Sequence, residues 1–313
     1  MKLTVAIPTY NKEKCIDRCI QSVLAEKKYI SKILVIDNNS VDKTFELAKK
    51  YEPQITCIRN QANLGMGKNW NKCIDLCKTD LLMIFHADDE LLPNTIKSYL
   101  DFFDKYLNVA FIHANCYYVK DSKNIIRRQY VETDNKEIRR VGIEALSMPG
   151  NACSTVIVKK SVYDDLGYFI ESSMSPDIEM WKRIASKYDI GHLNFPTVIV
   201  HLDHSSAGHQ SLINREVQGI QKDWEMLSDK IISYYPPAMR DVLKREARKH
   251  YVDGFIMVAT ANMRAKQYKR VMQTLYLIFF HYKGLKRVIY RAYHYFKDAL
   301  LRKRDIILKK DEK

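Results

Sequence analysis

What the sequence lacks narrows the field first. Its longest apolar run, Leu275-Tyr276-Leu277-Ile278-Phe279-Phe280, falls far short of the ~18–20 residues a membrane-spanning helix needs. The N-terminus, MKLTVAIPTYNKEKC, turns polar at once and has neither the long apolar core nor the small-residue cleavage site of a secretory signal, so a cytoplasmic location is expected. Glycine is scarce, at 10 of 313 residues, and neither GxGxxG nor GxxxxGK[ST] occurs. That argues against the usual dinucleotide-binding fold and against a P-loop. The seven cysteines, at 15, 19, 57, 73, 77, 116 and 153, form no CxxC pair. The pairs 15/19 and 73/77 have helical spacing, but no further ligands converge on them in sequence; buried thiols in a reducing compartment are expected, and zinc is not indicated.

Acidic residues are not lacking overall, but they are unevenly matched along the chain. From Arg240 to Lys313 there are 20 Lys and Arg against 7 Asp and Glu, whereas residues 1–239 hold 31 against 30. Almost all of the net charge of +14 therefore sits in the last quarter of the chain. The two parts call for separate readings.

The first 120 residues alternate short apolar runs with helical patterns. LTVAIP (3–8) leads into CIDRCIQSVL, whose apolar positions recur at helical spacing; KILVID (32–37) leads into TFELAKKY; TCIRN (56–60) leads into NWNKCIDLCK; and LLMIF (81–85) ends in the acidic HADDELLP. Strands built almost wholly of Ile, Leu and Val are buried on both faces, which implies parallel pairing under covering helices: an α/β sheet. Ligands of such sheets bind beyond the carboxyl ends of the strands. There the sequence places Pro8-Thr9-Tyr10-Asn11, Asp37-Asn38-Asn39-Ser40, Asn63-Leu64-Gly65 and His86-Ala87-Asp88-Asp89. Carboxylates on such a rim repel phosphate, and a hard divalent cation bridging carboxylate and diphosphate oxygens resolves the conflict. Taken singly, each cluster has a plainer reading: Tyr10 as packing, Asp37 to Ser40 as a helix cap, Asp88-Asp89 as a turn.

The stretches AIPTYNKEKCIDRCIQSVL, VIDNNSVDKT, NQANLG and FHADDELLP, in this order, resemble the inverting family 2 glycosyltransferases, over residues 1 to about 210. The resemblance implies a GT-A type nucleotide-diphospho-sugar transferase fold with a mostly parallel sheet, here with a C-terminal helical extension. It implies Mg2+ or Mn2+ as cofactor, a nucleotide-sugar donor, UDP-linked by this reading, and a saccharide or lipid-linked saccharide acceptor. Carried over position by position, Pro8, Thr9, Tyr10, Asp37, Asn39, Lys68 and Asp88 would contact the nucleotide-sugar, and Asp88 and Asp89 the metal. The usual last motif is Asp-x-Asp-Asp; this chain has His86 in the first place, and the role of His86 is left open.

Residues 148–183 resemble the acceptor segment of that family, with Pro176-Asp177 where Glu-Asp is usual, so that Asp177 matches the general base. At a helix start the dipole lowers its pKa while burial raises it. Glu179, two residues on, faces another side. In VIVHLDHSSAGHQS (198–211), His204 matches a histidine that completes metal coordination or touches the diphosphate. The expected organisation is a catalytic domain over 1–212, with 1–112 for the nucleotide-sugar and 113–212 for the acceptor, and a basic helical extension over 213–313. That extension mixes Lys and Arg with aromatic residues. It reads either as a surface for anionic membrane or as a layer packed on its own aromatic stripe; nucleic acid is the weaker fit, since no known binding module is present. The rival for the whole chain is a non-catalytic nucleotide-binding protein tethered to membrane or RNA by this tail. Sugar, acceptor and oligomeric state are not written in the sequence.

Overall fold

The computed structural model describes residues 1–120, 124–128, 135–147, 152–201 and 215–282. The chain falls into two compact units, Met1–Asp203 and His204–Lys313.

In the first unit, β1 (Leu3–Thr9), β2 (Lys32–Asp37), β3 (Thr56–Arg59) and β4 (Leu81–Ile84) lie in the order β3-β2-β1-β4, all parallel. Leu3, Val5, Ile7, Ile33 and Val35 share one core with Ile16, Cys19, Ile20 and Val23 of α1 (Ile16–Ala25) and with Tyr99, Phe102 and Phe103 of α4 (Ile96–Lys105). The alternate residues Leu34 and Ile36 are equally buried. They lie outside that core, and α3 (Met66–Leu76), which packs on β1, β2 and β4, covers them. Burial on both faces is what an unbroken apolar strand requires.

Beyond β4 the sheet becomes mixed. The three-residue β9 (Ile157–Lys159) runs antiparallel between β4 and β6 (Val109–Lys120), and β6 then pairs parallel with the long β10 (Asp189–His201). Short β5 (Glu90–Leu91) and β8 (Glu137–Arg140) flank β10 antiparallel, and β7 (Asn124–Arg128) pairs antiparallel with β6. The α/β class with parallel pairing through the N-terminal half and a helical C-terminal region is thus observed.

Helix α7 (Pro176–Ala185) starts with proline at its first position, where the missing N–H costs nothing. Its Trp181 lies against Phe111 of β6 and edge-on to Phe169, and Phe169 in turn meets Trp70 of α3. One aromatic seam therefore fixes α3, α7 and the sheet to each other.

The second unit is helical over its described residues: α8 (Val217–Ser233), α9 (Pro237–Arg264) and α10 (Tyr268–Tyr276), with a π-turn at Leu277–His281. Pro236 and Pro237 mark the break between α8 and α9, with Pro237 at the first helical position. Trp224 of α8 lies so close to Gly254 of α9 that an added Cβ would stand 2.6 Å from its ring. Among the described residues no helix is long and apolar enough to cross a membrane.

Candidate active site at the strand ends

Parallel register brings the strand ends level. Thr9 of β1 pairs with Asp37 of β2, and Asp37 with Arg59 of β3; the backbone amides of Asn38, Asn60 and Phe85 bond to the carbonyls of Thr9, Asp37 and Ala6, each at 2.8 Å. The four polar clusters identified in sequence thus stand along one edge. Asparagines tie their loops together: Asn38 accepts from Asn60 Nδ2 at 3.0 Å and from the Leu64 amide at 2.9 Å, and donates to Asn63 Oδ1 at 2.8 Å. Asn11 and Asn39 both sit in the left-handed region, φ 51° and 62°, which asparagine tolerates better than most residues.

The residues expected at the nucleotide differ in state. Pro8 is half-buried within β1, and Asn39 half-buried at the tip of its loop. Thr9 is buried, and its Oγ1 has no hydrogen-bond partner among the described residues. The Tyr10 ring is 41% exposed, open for stacking. Asp37 is fully buried, and its carboxylate accepts from the Ser40 amide and hydroxyl and lies 3.4 Å from Arg59 Nε. Lys68 stands in solvent at the start of α3, 3.9 Å from Glu171.

A sharp turn closed by the Asp89 amide on the His86 carbonyl follows β4 and projects His86, Asp88 and Asp89 together. One ligand atom from each lies within 4.8 Å of the others. Lys12 Nζ stands 2.6 Å from Asp88 Oδ2, both side chains mostly buried. Burial favours the neutral form of Asp88, but the Lys12 ammonium and His86 outweigh it and hold the carboxyl below its ordinary range. Asp89 is 3% exposed. Burial, with the Asp88 charge, pushes it up to about 6 against the pull of His86, the Ser154 hydroxyl at 2.5 Å and the His201 amide. Two adjacent carboxylates are therefore set apart, one charged by a lysine, the other poised to gain a proton. Beneath them lie the buried thiols of Cys19 and Cys153, both raised well above the usual range by burial first and by carboxylates nearby.

Asp177, in the first turn of α7, faces the same cluster. Burial raises its pKa above the ordinary value, while His86 and the first-turn amides pull it down. Of the two opposed effects weighed in sequence, burial wins over the helix terminus. Glu179 is fully buried and spent on Arg183, 2.7 Å away, which also holds the carbonyls of Leu166 and Tyr168. His204 lies outside the described residues, as does the rest of 202–214.

Sequence reasoning did not single out Lys12, Trp70 or Ser154, and met His201 only as a neighbour competing with His204 in the 198–211 stretch. The amide of His86 donates to Ser154 Oγ at 3.0 Å, and the Trp70 ring lies 5.2 Å from the His86 ring. His201 Nε2 meets Glu90 at 2.5 Å, and Glu90 also holds Arg18 at 2.9 Å. Lys12 adjoins a quoted motif and carries the charge that a carboxylate-rich rim calls for; Ser154 and His201 lie 65 or more residues from Asp88 and Asp89, and neither Ser154 nor Trp70 has a local signature.

Comparison with known proteins bears on family and fold. A family model described as "Glycosyl transferase family 2" matches residues 4–167. The uncharacterized glycosyltransferase MJ1057 of Methanocaldococcus jannaschii is 28% identical over 195 residues, 59% of this chain and 66% of that one. The E. coli UDP-Glc:alpha-D-GlcNAc-diphosphoundecaprenol beta-1,3-glucosyltransferase WfgD is 21% identical over 232 residues, 72% of this chain and 85% of that one. The crystal structure of S. aureus TarS 1–349 in complex with UDP-GlcNAc superposes with a TM-score of 0.64 at 18% identity, covering 79% of this chain and 71% of that chain, which shows a shared fold. The chain spans from 30% to 66% of the length of the first curated relatives it matches.

Proposed function

The chain belongs to glycosyl transferase family 2, and from that premise we propose that it moves a hexosyl or N-acetylhexosaminyl group from a UDP-linked sugar to an acceptor hydroxyl, with inversion, in cell-surface polysaccharide, lipopolysaccharide or capsule assembly. The observation that carries this reading is the clustering of His86, Asp88 and Asp89, with the partly buried Asp177 near enough for His86 to act on its charge. One group to grip the leaving diphosphate and one base across from it are what a single displacement needs.

The donor set fits a divalent cation. Two carboxylates and an imidazole converge within coordination reach, and a buried ring nitrogen of His86, Nε2, has no partner among the described residues. Asp89 and Asp88 would hold Mg2+ or Mn2+, with His204 as a third proposed ligand. When bound, the cation would neutralise the diphosphate as it leaves. The chain's own residues do the rest. Tyr10 offers a stacking face for the base, and Thr9 an uncommitted hydroxyl; Pro8, Asn39 and Lys68 complete the proposed donor contacts. Asp37 is proposed to meet the imide edge of uracil, its charge held by Arg59 and its geometry by Ser40. Asp177 takes the proton of the acceptor hydroxyl as that oxygen attacks the anomeric carbon. Its raised pKa strengthens it as a base, and partial burial excludes water that would compete for the sugar.

For the domains we propose a catalytic region over residues 1–212, with 1–112 for the donor and 113–212 for the acceptor. The acceptor is proposed to be lipid-linked, as the name of the WfgD relative says of that protein, and the basic C-terminal region to meet the anionic membrane surface where such acceptors lie.

The test is a panel of nucleotide-sugars with Mn2+ or Mg2+, scored for release of the nucleoside diphosphate. Metal-dependent turnover of UDP-sugars is expected, and loss of roughly two orders of magnitude or more in both Asp89→Ala and Asp177→Asn. Metal-enhanced nucleotide binding with no turnover under any acceptor condition would instead support a non-catalytic nucleotide-binding protein.

A further inference from the structure

His86 is the least conventional member of the cluster, and the fold invests in its placement. Its backbone is held on both sides: the amide donates to Ser154 Oγ at 3.0 Å, and the carbonyl accepts from the Asp89 amide at 3.1 Å. Ser154 passes the tie on, donating its hydroxyl to Asp89 Oδ2 at 2.5 Å. The ring lies on Trp70, centroids 5.2 Å apart and planes inclined by 30°, and Trp70 is 6% exposed and braced edge-on by Phe169. An imidazole fixed by its backbone and by a stacked indole loses little freedom on taking a ligand.

That rigid ring nonetheless leaves its buried Nε2 without a partner among the described residues. A buried polar atom left unsatisfied is costly, and a ligand removes that cost. A ring nitrogen and one oxygen each from Asp88 and Asp89 lie within 4.8 Å of one another. Atoms on a single hard cation stand at most about 4–5 Å apart, twice the metal–ligand distance. The spacing needs only slight closure to become a coordination set.

We propose that His86 is itself a ligand of the catalytic cation and makes this site select Mn2+ over Mg2+. Mg2+ demands oxygen donors in a near-ideal octahedron and surrenders its waters reluctantly, whereas imidazole suits transition ions. An aspartate in this place would leave an all-oxygen site tolerant of either ion; a histidine penalises Mg2+. The inference rests on the metal-dependent reading of the site, and the experiment separates the two.

The full-length chain with UDP is titrated with Mn2+ by electron paramagnetic resonance, and with Mg2+ in competition, for wild type, His86→Ala and His86→Asp. Wild type is expected to bind Mn2+ roughly ten-fold or more tightly than Mg2+, and His86→Ala to lose roughly ten-fold or more in Mn2+ affinity with Mg2+ nearly unmoved. His86→Asp, which keeps a ligand if the alanine variant folds poorly, is expected to bind both ions with the preference narrowed. Electron spin-echo modulation of the wild-type Mn2+–UDP complex is expected to show directly bound nitrogen that shifts when histidine carries heavy nitrogen, with one nitrogen fewer in His86→Asp, where only His204 would remain. Wild-type Mn2+ affinity in His86→Ala, or a complex without nitrogen modulation, overturns this inference and leaves the metal-dependent reading standing. Failure of wild type to bind either ion with UDP overturns both.

Discussion

Asp89 shows how the site is built against the stability of the fold. Its carboxylate is almost wholly enclosed and its pKa is raised to about 6 from an ordinary 3.8, burial being the chief cause. Between these values the folded chain holds more protons than the unfolded one, so stability falls as pH rises through the window and the deficit is complete above about 6. Replacing the carboxylate with an amide keeps the shape and the contact with Ser154 and removes the charge. Asp89→Asn is therefore expected to melt higher than wild type at pH 7 in the absence of metal, by an amount on the order of 1 kcal/mol, with the advantage vanishing below about pH 4. The same substitution should abolish metal-dependent transfer. Thermal melts across pH check the first part; an unchanged or lowered melting temperature at pH 7 would mean that the carboxylate is compensated by contacts other than those described. At this scale the sequence was partly legible. Asp88, Asp89 and Asp177 carry their identity in local motifs, whereas Lys12, Ser154 and Trp70 act on the cluster across 65 to 76 residues of chain or through a ring contact, for which no short pattern exists.

Elements carry that geometry to Asp177. The first turn of α3 approaches the turn ahead of α7 so closely that a Cβ on Gly67 would lie 2.6 Å from Glu171 Cα and 2.8 Å from its carbonyl oxygen. Those atoms are backbone and cannot swing aside. Nearby, Asn71 holds the Phe169 backbone, accepting its amide at 2.9 Å and donating to its carbonyl at 3.1 Å. Gly67→Ala is thus expected to push the Phe169–Glu171 segment from α3, at a cost of about 1–3 kcal/mol. Because that segment leads into α7, the base should move relative to the metal cluster. The expected kinetic result is a fall in kcat larger than any rise in KM, measured where the variant remains folded; equal kcat with a lower melting temperature would assign Gly67 to packing alone. The parallel strands β1 to β4 were readable because each is an apolar run closed by a polar cluster. Two-residue β5 and three-residue β9 were not, since so few residues show no period and their pairing is decided by distant partners. The start of α3 also lies three residues ahead of the expected NWNKCIDLCK, because Gly65, at φ 82°, caps it in a conformation that hydrophobic spacing does not reveal.

On the scale of the whole molecule, the segregated charge and the helical second unit bear on where the enzyme works. The sequence left two uses for the aromatic residues of the tail, and among the described residues these side chains divide by exposure. Trp224, Phe255, Tyr251 and Tyr282 meet ring to ring, with centroids 4.9 to 5.7 Å apart. Tyr268, Met272, Tyr276 and Phe280, spaced four apart along α10 and its π-turn, are instead 61%, 66%, 62% and 71% exposed. Residues at that spacing share one helix face. Large apolar side chains repeated along an exposed face amid a strongly basic segment fit the interface of an anionic bilayer, where each basic residue near the surface adds about 1 kcal/mol. Replacing all four with serine keeps every charge and removes the apolar edge. Binding to vesicles containing anionic lipid is expected to fall by roughly ten-fold or more, since burying even part of four such side chains is worth several kcal/mol, while melting temperature and turnover of a soluble acceptor hold, because exposed positions contribute little to the fold. Raising salt should weaken the wild type and the quadruple variant alike, as screening acts on the charges that both retain. If the serine variant sediments with anionic vesicles as the wild type does, the stripe plays no part in membrane contact, and electrostatic attraction by the basic residues alone must account for it.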